Sequence, residues 1–189
     1  MRHSFRSLAL VLGLAGLASG CGYNRLQGLD ERVNKAEGEI KVQLQRRADL
    51  IGNLVETVKG AARQESTVFI GVAEARSRLN SAVQSGSLQQ MGEANAAMAA
   101  PLSRLLATVE AYPELKSSEN FRQLQDQLEG TENRIAVARS DYNGSVEEFN
   151  RDIRRFPTNL TAKMFGLGKS REYFELTTPG AAEAPKVKF

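Results

Sequence analysis

The sequence predicts an all-α protein: an up-and-down bundle of three long helices plus a short C-terminal helix. Three observations point there. Apolar residues recur at alternating steps of three and four over most of the chain. No strand-like alternation runs longer than four residues. Pro is absent from residues 22–100, whereas Gly86, Pro113 and Pro157 mark the ends of helical stretches.

The first helix is expected from Asp30 to Gln84. Its seam runs Leu26, Leu29, Val33, Ala36, Ile40 and Leu44, then Ile51, Leu54, Val58 and Ala61, then Val68, Val72, Ala75 and Leu79. Two successive steps of four, from Ala36 to Ile40 to Leu44, form a stutter that relaxes supercoiling. Asp30 is the expected cap, Gly86 suits the end, and Gly52 or Gly60 would allow a bend. At 1.5 Å per residue such a helix reaches roughly 80 Å.

The second helix is expected from Ser87 to Tyr112, with Met91, Ala94, Met98, Leu102, Leu105, Leu106 and Val109 inward. Pro101 should kink or divide it, and Pro113 ends it. The third starts at Ser118, an N-cap, and its seam continues from Phe121 through Ile135, Tyr142 and Phe149 to Phe156. Pro157 stops it. A short helix over Asn159–Phe165 and the Tyr173-Phe174 pair would pack back on the bundle. The three lengths are unequal, so apolar seam must be covered by a bend, by a partner or by a second copy of the chain.

The chain has 189 residues, 41% apolar and 25% charged, as in an ordinary globular protein. It has one Cys, one His (His3) and no Trp. These counts exclude an intramolecular disulfide, a Cys-based zinc site and Ser-His-Asp machinery in the body of the chain.

The start reads as an address. Arg2 and Arg6 precede the ten-residue apolar run Leu8–Leu17, and Ala18-Ser-Gly20 stands directly before Cys21. The run is too short for a bilayer span, and its order is that of a secretory signal. Leu17-Ala-Ser-Gly-Cys21 resembles the lipobox of bacterial lipoproteins, in which the Cys thiol is lipidated and the leader is removed. The expected organisation is a signal over residues 1–20, a tether over 21–29, the bundle over 30–176 and a loose tail over 177–189. Losing Arg2 and Arg6 takes the formal charge from +3 to +1, so the basic isoelectric point is no sign of nucleic acid binding. The balance is uneven: residues 151–189 hold eight basic and four acidic side chains, a basic end on an acidic body.

Several polar residues fall in or beside the seams. Arg47 and Glu65 interrupt the first. Glu132, Arg139, Asn143 and Asn150, spaced 7, 4 and 7, share one stripe on the third. Di-metal sites of helical bundles use such positions but need Glu-x-x-His pairs. With His3 the single His, no metal or cofactor is expected. The alternative is ion pairing within the bundle. Glu110 and Glu114 flank Tyr112-Pro113, and a cell-wall hydrolase could use such carboxylates only across a shaped cleft.

The long helices carry Gln45-Arg-Arg-Ala-Asp-Leu-Ile-Gly-Asn-Leu-Val-Glu-Thr-Val-Lys-Gly60, Glu110-Ala-Tyr-Pro-Glu-Leu115, Asn120-Phe-Arg-Gln-Leu124 and Leu128-Glu-Gly-Thr-Glu-Asn-Arg-Ile135. Ala138-Arg139, Tyr142-Asn143, Asn150, Phe156-Pro157, Phe165-Gly166, Tyr173-Phe174 and Pro185-Lys-Val-Lys-Phe189 follow in order. This text resembles that of the LemA family. Gly52 stands where that family usually has Pro, and Gln64 where a His is common. The resemblance implies an up-and-down bundle held at the bacterial envelope, outside the cytoplasm. It also implies that Glu132, Asn133, Arg134, Arg139, Tyr142 and Asn143 form a shared polar core.

Together these readings predict a non-enzymatic, envelope-anchored scaffold on the periplasmic side of a membrane, lipidated at Cys21. Its partners would be the membrane, envelope proteins or itself, and not nucleic acid. The alternatives are a cell-wall-associated enzyme and an anionic-lipid-binding bundle.

Overall fold

The computed structural model describes the backbone of residues 2–62 and 64–174 and the side chains of residues 22–62 and 64–174. The leader's side chains, Cys21 and the tail expected over residues 177–189 lie outside the described residues. The elements are α1 (Arg2–Ala61), α2 (Ser66–Ser85), α3 (Leu88–Ala97), α4 (Ala99–Val109), α5 (Pro113–Ser117), α6 (Glu119–Asp152) and α7 (Thr158–Met164). Among the described residues there is no strand.

The all-α expectation holds; three uninterrupted long helices do not. The helix expected from Asp30 to Gln84 is two, α1 and α2. Asp30 is no cap, because α1 already runs through it, and its side chain is engaged elsewhere. α1 ends at Ala61 and α2 starts at Ser66, and Glu65 before it leaves helical geometry with φ −88° and ψ 44°. From Ala61 to Glu65 the chain offers no large apolar side chain, so a continued helix would gain little burial there. Arg76 Nε donates to the carbonyl of Ala48 at 2.8 Å, so α2 runs back along the end of α1. Reversal buries Phe69, Val72, Ala75 and Leu79.

The second expected helix is also two. Pro101 has no N–H to donate to the Ala97 carbonyl, and α3 ends at Ala97. α4 restarts at Ala99 with Pro101 in its first turn, where a missing donor costs nothing. The ends are as the sequence reads. Gly86 takes a left-handed φ of 72°, Ser87 Oγ accepts from Gln90 N, and Ser118 Oγ accepts from Phe121 N at 3.3 Å. The third helix stops at Asp152 rather than Phe156. Phe156 therefore leaves the seam and is 76% exposed.

The described chain forms two compact units, to both of which α1 and α6 contribute. In one, residues 22–38 and Ser140–Tyr173, α1 and α6 run antiparallel: Arg25 pairs with Asp152, and Arg32 with Glu148 at 3.3 Å. Leu26, Val33, Val146, Phe149 and Ala162 form its core. In the other, Glu39–Arg139 with Phe174, the core is Ile40, Leu44, Ile51, Leu54 and Val58 with Leu79, Met91, Met98, Leu105 and Ile135. Burying each large aliphatic side chain contributes about 2 kcal/mol.

Candidate functional site

Of the polar residues marked by the sequence, Tyr142 and Asn150 join a tie in the first unit, and Arg47, a buried cation, pairs with Glu132 in the second.

The tie is made by the segment that comes after α7. Gly166, at φ 75°, ends that helix and sends the chain back along α1 and α6. Asn150, only 3% exposed, donates Nδ2–H to the Arg171 carbonyl at 2.9 Å and accepts from the Arg171 N–H at 2.8 Å. The Arg171 guanidinium reaches Asp30 on α1 at 2.7 Å and Asn34 at 3.2 Å. One turn of α6 before Val146, the Tyr142 hydroxyl donates to the Glu172 carbonyl at 2.9 Å. Burial pushes the Tyr142 phenol up to about 12; Glu37 and Glu172 add to this and Arg171 opposes it. The returning segment is thereby joined to α6 through backbone groups that no secondary structure satisfies, and to α1 through the Arg171 side chain.

The cation is Arg47. Its side chain is 5% exposed and pairs through Nη1 with Glu132, whose side chain is half exposed. Arg47 Nε has no acceptor. Burial lowers the affinity of this guanidinium for its proton. Arg47 lines a cavity of about 100 Å³ with Leu54, Leu102, Leu106, Leu128 and Glu132. Leu102 and Leu106 are half-buried because they stand at this cavity. Arg139 lies 5.1 Å above the Phe174 ring, its Nε also without an acceptor.

Glu65 is exposed at the start of α2, and Asn133 and Arg134 are exposed on α6. Asn143 is half-buried one residue after Tyr142. Glu110 pairs with Lys116 at 2.5 Å, and Glu114 lies exposed in the first turn of α5.

Sequence reasoning missed Asp30 as a partner, Arg171, Asp152 and Arg76. Asp152 is 4% exposed at the end of α6 and pairs with Arg25. Arg76 lies flat over Gly52, where a Cβ would approach its Cζ to 2.8 Å. A glycine inside a long helix is the one local signal for that contact.

A profile described as the LemA family matches residues 36–189. The chain is 28% identical to magnetosome proteins MamQ 1 and MamQ 2 of Paramagnetospirillum magneticum, over 81% of its own length. It is also 28% identical to magnetosome protein MamQ of Magnetospirillum gryphiswaldense, over 80%. It spans 64% of the length of each of these relatives. No helix among the described residues is long and apolar enough to cross a membrane.

Proposed function

Because this chain belongs to the LemA family, we propose that it is a non-enzymatic helical scaffold of the bacterial envelope. A lipid on Cys21 would tether it, with its body on the periplasmic side. The observation that carries this reading is how the polar residues are used. Tyr142 and Asn150 end on backbone groups of the returning segment, and Arg171 ends on Asp30. Groups satisfied in this way rigidify a fold and are themselves not free to act as nucleophile or base. The family and the magnetosome relatives support a non-catalytic, membrane-associated protein. A cell-wall enzyme has less support, since Glu110 is occupied by Lys116.

Two measurements test it. The intact mass of the mature chain should lack residues 1–20 and carry a diacylglyceryl thioether at Cys21. Photo-cross-linkers in place of Ile70 and Val137, which are 58% and 60% exposed, should give discrete adducts with envelope proteins in intact cells. A free monomer at both positions overturns the scaffold role.

A further inference from the structure

We propose that α7 and its flanks form a face that lies on an anionic bilayer. This rests on the reading of Cys21 as the tether.

Phe156, Leu160 and Met164 succeed one another at steps of four and are 76%, 57% and 73% exposed. Phe165, 51% exposed, packs against Tyr23 with the rings tilted at 48° and their centroids 4.4 Å apart. Four large apolar side chains within ten residues exceed the scattered exposure of an ordinary surface. Basic residues surround them. Residues 153–171 hold five basic side chains and no acidic one. Arg171 is bound to Asp30, which leaves Arg154, Arg155, Lys163 and Lys169, all exposed. Apolar tips between long cationic stems match an interfacial surface, where the tips enter the acyl boundary and the stems reach lipid phosphates.

The position of the face selects the occupant. A Cβ on Gly22 would lie 3.5 Å from Thr161 Oγ1 of α7, and Tyr23 touches Phe165. Both come directly after Cys21, so a lipid there would enter the bilayer beside this face. A second copy packed through a two-fold axis would set like charges against each other.

The test uses the full lipidated chain carrying Met164→Cys with a nitroxide label, on phosphatidylethanolamine vesicles with and without phosphatidylglycerol. Flotation with the vesicles reports the tether. Oxygen collision at residue 164 reports the face. The expected result is flotation on both vesicles, with the label immersed only where phosphatidylglycerol is present. A variant with Arg154, Arg155, Lys163 and Lys169 changed to Gln should still float but lose that immersion. Flotation with an aqueous label on both vesicles overturns the face and spares the tether; absence of flotation overturns the tether. Dipolar broadening between labels without oxygen access would assign the face to a second copy and overturn the proposal.

Discussion

Asn150 and Arg171 stand 21 positions apart and exchange two hydrogen bonds, one in each direction, at 2.9 and 2.8 Å. A side-chain amide here does what a neighbouring β-strand would do: it satisfies both backbone groups of one residue in an extended segment. Only Asn combines this donor and this acceptor at this reach. Asn150→Asp removes the donor, orphans the Arg171 carbonyl and buries a carboxylate. The expected loss is about 2–3 kcal/mol. Urea unfolding should register it, and the Arg171 amide should exchange faster in the variant. A midpoint equal to that of the parent would disprove this role.

Tyr142 gives the tie a pH dependence. Its phenol titrates at about 12 in the fold and near 10 when exposed. Between these values the unfolded chain has lost the proton and the folded chain keeps it. Stability from this group is therefore whole below pH 10 and falls as pH rises towards 12. Tyr142→Phe loses the bond to the Glu172 carbonyl, at a cost of about 1 kcal/mol near neutrality. Above pH 10 that deficit should shrink, because the variant has nothing to titrate. Paired urea melts at about pH 9 and about pH 11, on the order of one unit either side of the onset, check it; a constant gap would refute the assignment.

Arg47 and Glu132 are unequal partners, one buried and one half exposed. Glu132→Gln leaves a buried guanidinium without a counter-charge and should cost roughly 2 kcal/mol or more. Arg47→Met removes the buried charge and releases Glu132 to water, so it should cost less than Glu132→Gln does. Thermal melts of the two variants decide the order, and the reverse ranking would mean that Arg47 is held by other groups.

Gly52 and Arg76 form a third pair. Gly52→Ala gains about 0.5–1 kcal/mol of helix propensity but drives the guanidinium off the Ala48 carbonyl. In the parent these effects offset each other. In an Arg76→Ala background the gain should appear undiminished. A double-mutant cycle with no coupling would show that the close approach carries no energy.

How much of the structure was legible varies from residue to residue. Thr131, Ile135, Ala138, Tyr142, Val146 and Phe149 are buried as their spacing foretells, because burial along a helix depends on a three-to-four period that any stretch of chain carries locally. Gly86, Ser87 and Ser118 act as caps for equally local reasons. Asn150 could be placed on a polar stripe but not given a partner. Its partner reaches it through the turn at Gly166, and no spacing records that path.

The reversal after α1 was hidden for a related reason. The predicted seam runs Val58, Ala61, Val68 and Val72, but the structure exposes Ala61, half-buries Val68 and buries Ala62 and Phe69 in their place; both sets step at helical intervals, so the period leaves no mark of the break. Periodicity reports which side chains seek cover; it does not report what covers them. Helix, seam and caps arise from interactions within a few residues and can be read in order along the chain. Where α1 ends, that Asp30 meets Arg171 across 141 positions, and that Phe156 faces outward were settled by packing between distant segments, whose energy belongs to no single stretch of sequence.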